Sequence, residues 1–193
     1  MKSQDIEIIK VLLENKDGNL SMNHIATLLK KDYKTAHNII KRLEAASLIT
    51  LESFGNSYKV TLNTIMHPLL FEAEYRRRDE LLKNKDIAVM HDYFKKLKTK
   101  FYVLLVFGSY AKKRNNKSSD IDLLFIIPDA SESSLEKEVY HIGRTLPLPL
   151  HINIFKESDF RAMTQSKAVT VGQEAMKDNV LLYGIEAFYE MIQ

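Results

Sequence analysis

The chain has 193 residues, 45% of them hydrophobic and 27% charged, with 28 Lys and Arg against 25 Asp and Glu for a net charge of +3. That balance suits one large or two small cores in a globular chain, and it permits an anionic partner without demanding one. The lack of cysteine excludes a disulfide framework or thiolate zinc site, no apolar run approaches the ~20 residues that span a bilayer, and the opening MKSQDIEIIK mixes acids with its apolar residues, unlike a signal peptide; a cytoplasmic protein with no membrane partner is expected.

In residues 1–62, Ile6, Ile9, Leu12 and Leu13 fall at helical spacing, and the Asp17-Gly18 turn ends that helix. Ser21 is the expected N-cap of a second helix with Ile25, Leu28 and Leu29 inside, and Asp32 that of a third whose inner stripe is Ala36, Ile39, Ile40 and Leu43. Ile49–Glu52 and Tyr58–Leu62 alternate around Gly55-Asn56, the pattern of a β-hairpin. Three short helices and a hairpin make a winged helix-turn-helix arrangement. The stretch YKTAHNIIKRLEAASLI resembles the recognition helix and following strand of bacterial and archaeal winged-helix transcription regulators. The resemblance implies that the third helix enters the major groove of duplex DNA. Lys34, Lys41 and Arg42 are then candidates for phosphates, Thr35 and Asn38 for base edges, and Lys59 on the hairpin for a wing contact to the backbone. One such unit reads a short half-site, so a homodimer is expected.

Residues 63–100 are expected to connect this unit to a second. His67-Pro68 marks a break, and Leu69–Leu82 reads as an exposed helix with Glu72, Glu74, Asp79 and Glu80 interleaved with Arg76, Arg77 and Arg78. Asp86 is the expected cap of the next helix, whose core stripe is Ile87, Met90, Phe94 and Leu97.

Phe101–Phe107 is a continuous apolar run, the pattern of a strand buried on both faces. Gly108 breaks it and lets the backbone pass close to another group. Ser109 stands where a helix begins and where free N–H groups face an anion such as phosphate. Ten residues later, Asp120-Ile-Asp122 opens the apolar run Leu123–Ile127. In a strand the two carboxylates share one face about 7 Å apart, a hard oxygen site suited to Mg²⁺. A Gly-Ser turn after a buried strand, ten residues, then Asp-x-Asp closely resembles the minimal nucleotidyltransferases of the DNA polymerase β superfamily. The resemblance implies that Gly108 and Ser109 grip a nucleotide triphosphate, ATP first among them, and that Asp120 and Asp122 bind Mg²⁺. Lys112 and Lys113, with Arg114 and Lys117, are candidates for the triphosphate tail. Tyr110 is expected to point outward from the short helix.

Ser131–Ser134 offers caps for a helix running to about Leu146. Pro147 and Pro149 force an extended entry into the strand Leu150–Phe155, with Leu150, Ile152 and Ile154 on one face and His151, Asn153 and Phe155 on the other. Active members of the superfamily carry a third carboxylate on this strand, which joins the metals and serves as base. Here no Asp or Glu lies between Leu148 and Lys156; His151 or Asn153 takes that position. A helix capped by Ser158, a helix over Ala168–Lys177, a strand Val180–Tyr183 ended by Gly184 and a last helix Glu186–Ile192 complete the chain. The expected fold is α+β: an N-terminal winged helix (1–62), connecting helices (63–100) and a nucleotidyltransferase-like α/β core with a mixed sheet (101–193). The expected function is Mg²⁺-dependent transfer of a nucleoside monophosphate to an acceptor hydroxyl; the family includes antitoxins that modify a partner toxin. The alternative is a DNA-binding regulator whose second domain binds nucleotide without catalysis.

Overall fold

The structure, a computed structural model, describes residues 3–16, 18–116, 118–131 and 133–193. Asp17 of the expected turn, Lys117 of the basic loop and Glu132 of the expected cap lie outside these residues. The chain divides into two compact units, one ending at Arg76 and the other running Arg77–Ile192. The stretch 63–100 is therefore shared between them rather than standing apart.

The first unit begins with α1 (Ser3–Leu13), α2 (Met22–Leu28) and α3 (Tyr33–Ala45). Ile6, Ile9, Leu12 and Leu13 of α1 meet Ala36, Ile39, Ile40 and Leu43 of α3 in its core, all at most 4% exposed. Each of the Ile and Leu side chains contributes about 1.5–3 kcal/mol when removed from water. The Ser21 hydroxyl accepts from the His24 N–H at 3.2 Å and the Asp32 carboxylate from the Thr35 N–H at 2.9 Å, so both expected caps satisfy first-turn donors. Hydrogen bonds from Thr35 to the Asp32 carboxylate hold its pKa below the ordinary value. Leu28, expected inside, is 47% exposed. The stripe that α2 buries is Met22, Ile25 and Ala26, and Leu28 falls on its flank. Strands β1 (Ile49–Phe54) and β2 (Ser57–Leu62) pair antiparallel, Ile49 opposite Leu62 and Phe54 opposite Ser57, around Gly55 at φ +56°. The Val60 N–H donates to the Leu20 carbonyl at 2.8 Å, tying the hairpin to the segment before α2. This is the winged-helix arrangement.

Helix α4 (Pro68–Leu81) carries the chain from the first unit into the second. It was expected to be exposed, yet Glu74 is 0% and Arg77 5% exposed. Interleaved charge marks only some of its faces as solvated; Arg77 donates to the Asn179 carbonyl inside the second unit. Helix α5 (Lys85–Phe94) is capped by Asn84, whose side chain accepts from the Asp86 and Ile87 N–H groups at 3.0 and 3.3 Å. The cap is thus two residues before Asp86, which becomes the acidic residue of the first turn.

The second unit is built on β3 (Val103–Phe107), the short helix α6 (Gly108–Ala111), β4 (Ile121–Ile127), α7 (Ser133–Thr145), β5 (Leu150–Lys156), α8 (Glu157–Gln165), α9 (Val171–Lys177), β6 (Asn179–Tyr183) and α10 (Ile185–Met191). The sheet order is β5-β4-β3-β6, with β4 and β5 parallel and the other pairs antiparallel. On one face Leu104, Val106, Leu123, Phe125 and Leu182 pack against Ile87, Met90 and Phe94 of α5 and Val139 of α7. Phe94 meets Phe125 edge to face at 5.0 Å between ring centres, a geometry worth about 0.5–1.5 kcal/mol beyond area. Helix α8 packs on β4 and β5 and helices α9 and α10 on β3, covering the other face. Expected boundaries shift where local bonds decide them. Phe101 is 78% exposed and outside β3, its N–H held by the Thr99 hydroxyl at 3.1 Å. Ser158 lies within α8 and donates its N–H to Asp129 at 3.0 Å instead of capping. Thr170 caps α9, accepting from the Gln173 N–H at 3.2 Å, so Ala168 precedes that helix. Tyr110 is buried in the core, 9% exposed, and not directed outward. Among the described residues no helix is long and apolar enough to cross a membrane.

His91 of α5 is 4% exposed, and its Nε2 has no hydrogen-bond partner among the described residues. Burial, and then Lys95, hold its pKa below the ordinary 6.5. The unfolded chain takes up a proton below about pH 6.5 that the folded chain refuses, so this contribution to stability is full above that pH and is lost as pH falls. His91→Leu is expected to flatten the acid branch of the unfolding free energy, measured by urea titration from pH 7.5 to 5, by up to about 1.4 kcal/mol per pH unit.

Candidate functional site

Strand pairing at one end of the second sheet assembles the site. Phe107, the last residue of β3, lies opposite Asp122, and Asp122 lies beside His151 of β5. Gly108 follows with φ +67°, the left-handed region that disfavours a side chain. A Cβ at Gly108 would stand 2.3 Å from the Asp122 Oδ2. The glycine therefore does two things: it turns the chain into α6 and lets the backbone pack directly on the carboxylate. Ser109 is half-buried beside it in α6.

The other oxygen of Asp122, Oδ1, is 3.1 Å from the His151 Nδ1. The Asp122 side chain is 27% exposed and that of His151 64%, so the pair opens to solvent. Asn153 is on the same face of β5, opposite Leu124 rather than Asp122. Its amide donates to the Leu123 carbonyl at 3.4 Å, which engages it with the sheet itself. Of the two residues left open for the third position, His151 is the one that meets Asp122. Asp120 precedes β4 and is exposed. It flanks the pair without sharing its strand register.

The loop lysines meet carboxylates of the same unit. The Lys112 Nζ is 3.2 Å from Asp178 and the Lys113 Nζ 3.7 Å from Glu80. Neither acid is a site candidate by sequence, since no spacing links Asp178 or Glu80 to the Gly-Ser turn. Asp178 arrives because Asn179, the first residue of β6, pairs with Phe107; Glu80 arrives on α4. Among the described residues no three His, Asp or Glu side chains already stand as a metal-holding group. Asp122 and His151 nonetheless converge, and Asp120 adds an exposed carboxylate nearby in sequence. This donor set suits a divalent cation whose shell a ligand's oxygens complete.

In the first unit, Lys34, Asn38 and Lys41 are exposed on α3 and Thr35 is half-buried at its start. Lys41 pairs with Glu44 at 2.9 Å and sits 5.6 Å from the centre of the Tyr58 ring. Arg42 donates to Asp5 of α1, a carboxylate only 6% exposed, so its guanidinium braces the two helices. Lys59, half-exposed on β2, lines a groove of about 410 Å³ with Phe54, Tyr58 and Glu52.

Residues 90–175 match the family model of the nucleotidyltransferase domain. The match runs from α5 into α9 and includes Gly108, Ser109, Asp120, Asp122, His151 and Asn153; Asp178 and β6 lie beyond it. No curated protein matches the sequence. Similar solved structures include an S. aureus MepR–DNA complex, at 17% identity and a TM-score of 0.34, covering 50% of this chain and 76% of that one. Another is a toxin–antitoxin with AMP-PNP, at 17% identity and a TM-score of 0.37, covering 56% of this chain and 82% of that one. Likenesses this distant assign nothing to the chain. The matched segment lies wholly within the second unit.

Gly108→Ala is expected to lower stability by at least ~1 kcal/mol, since it adds left-handed strain and displaces Asp122. Thermal denaturation of the variant against wild type measures the loss.

Proposed function

We propose that the second unit transfers a nucleoside monophosphate from a nucleotide triphosphate, ATP first among candidates, to an acceptor hydroxyl with Mg²⁺ bound. The observation that carries this reading is the Asp122–His151 pair, 3.1 Å apart, set directly on the Gly108 turn. In this reading the turn amides and the Ser109 hydroxyl hold the phosphates in line, and Asp120 and Asp122 hold the ion. Bound there, Mg²⁺ would neutralise phosphate charge and polarise the phosphorus under attack. His151 stands where the resemblance places a third carboxylate, beside the path of the acceptor. Nucleotidyl transfer draws much of its rate from in-line positioning and from stabilising the charge that develops on phosphate oxygens. An imidazole in that place is therefore compatible with slow transfer. Lys112 and Lys113 reach the triphosphate by leaving Asp178 and Glu80. The acceptor class the resemblance brings includes a partner toxin protein.

Transfer of label from ATP labelled at the α-phosphate to protein and small-molecule acceptors tests the reading. Slow wild-type transfer is expected, abolished in Asp122→Ala and raised about tenfold or more with Mg²⁺ in His151→Asp. Asn153→Asp should change it little, because Asn153 is bonded to the sheet two residues further along β5. No transfer in wild type or His151→Asp, with nucleotide binding intact, would defeat the enzymatic reading.

A second reading, a DNA-binding regulator whose nucleotidyltransferase domain binds nucleotide without catalysis, is favoured by the exposed polar face of α3. Lys34, Thr35, Asn38 and Lys41 line that face in the winged-helix unit, with Lys59 on the wing, and a homodimer would join two half-sites. The buried Asp5 competes for Arg42 and removes it from the strongest phosphate candidates. Under this reading Lys34→Ala with Lys41→Ala is expected to flatten the log–log salt dependence of duplex binding by about two units, about one per lost phosphate contact, measured by fluorescence anisotropy. Unchanged affinity across salt would exclude α3 as the contact.

A further inference from the structure

The stretch YFKKLKTKF, residues 93–101, runs from the end of α5 to the start of β3 and takes no part in the site around Gly108. Phe94 and Leu97 anchor it in the core at 0% and 1% exposure, and Lys95, Lys96, Lys98 and Lys100 are exposed around them. Two of these cations are oriented by local contacts. Lys100 donates to the Lys95 carbonyl and, at 2.9 Å, to the Leu97 carbonyl, closing the C-terminal end of α5. The Lys96 Nζ sits 4.5 Å from the centre of the Tyr93 ring, a cation–π contact at the surface. Among the described residues no carboxylate pairs with Lys95, Lys96 or Lys98.

Lys98 and Thr99 line a groove of about 400 Å³ with Ser131, Ser134, Leu135 and Glu138, from the loop after β4 and the first turns of α7. The Thr99 hydroxyl accepts the Phe101 N–H at 3.1 Å, which ties Phe101 to the groove wall with its side chain outward. Glu138 in the groove and the exposed Asp92 on α5 are the acids here, against four lysines. The length of β3 separates this surface from the Gly108 turn. An open aromatic ring beside a row of cations matches single-stranded nucleic acid, whose bases present π faces and whose backbone presents charge. In a duplex both faces of each base are already stacked, which leaves Phe101 nothing to cover. A membrane surface asks for a broad apolar face, whereas the hydroxyls of Thr99, Ser131 and Ser134 suit phosphate and sugar oxygens.

We propose that residues 93–101 and the adjoining groove bind single-stranded nucleic acid, with a base stacked on Phe101 and backbone phosphates at Lys96 and Lys98. This surface depends neither on nucleotidyl transfer nor on duplex contact by α3.

The test follows fluorescence anisotropy of labelled dodecauridylate with the full chain carrying Lys34→Ala and Lys41→Ala, which removes the α3 face, from about 50 to about 300 mM KCl. Binding is expected, and stronger than for a duplex of the same length. Adding Lys96→Ala with Lys98→Ala should flatten the log–log salt dependence by about 1.4 units, about 0.7 per lost phosphate contact on a single strand. Phe101→Ala should weaken binding about fivefold or more with the salt slope unchanged, and Phe101→Tyr should restore it. Asp122→Ala should leave binding unchanged, because the two sites lie at opposite ends of β3. Lys96, Lys98 and Phe101 are exposed, so their variants should melt as wild type does, which thermal denaturation checks. Absence of oligonucleotide binding, equal binding by the Lys96, Lys98 and Phe101 variants, or loss in Asp122→Ala would overturn the inference. So would retention on anionic phospholipid vesicles without oligonucleotide binding, which would make the surface a membrane contact instead.

Discussion

The second unit depends on one row of residues across three strands: Phe107, Asp122 and His151, closed by Gly108. Side chains in a strand alternate faces, so moving β4 by one position against either neighbour would turn Asp122 into the core and Leu123 out of it. Leu104, Val106, Leu123 and Phe125 prevent this, each fully buried against α5 and α7. The apolar packing thus supplies the energy that holds a carboxylate at the sheet's end. Gly108 then sets the distance of closest approach, since its backbone occupies the space that any Cβ would share with the Asp122 carboxylate.

Charge placement around that row follows a consistent pattern. The basic loop after the Gly-Ser turn is held by acids from distant parts of the chain, Asp178 before β6 and Glu80 on α4. These pairs are partly exposed, so each contributes little to stability, about 1 kcal/mol or less. Weak pairs are also easily exchanged, so the lysines can be oriented near the site and still be available to an anion. The first unit uses charge differently. Arg42 binds the largely buried Asp5, where loss of one partner would leave an uncompensated charge. That makes Arg42 part of the frame that presents α3, while Lys34, Asn38 and Lys41 remain on the presented surface.

Much of this organisation was legible in the chain. Ser21 and Asp32 announce helix starts because their short side chains accept first-turn N–H groups, an interaction contained within three residues. The buried stripes of α1 and α3 and the runs of β3 and β4 follow from periodicity alone. Gly108, Ser109, Asp120 and Asp122 stand out as candidates because they lie within one continuous stretch. Local cues misled where tertiary bonds compete with them: Ser158 offers its N–H to Asp129, Asn84 caps α5 ahead of Asp86, and Tyr110 enters the core because the turn of α6 folds it under the sheet.

The sequence by itself determined the α+β class, the Ser21 and Asp32 caps and the spacing from Gly-Ser to the two aspartates, because each rests on neighbours within a few turns of chain. It narrowed the third position to His151 or Asn153 and could go no further, since both lie on one face of the same strand. Only the parallel register of β4 and β5 decided that His151 meets Asp122 while Asn153 bonds to the Leu123 carbonyl. The partners of Lys112, Lys113 and Arg42 were likewise decided by the tertiary structure, because pairing across many residues depends on which surfaces folding brings together and leaves no periodic trace in the chain.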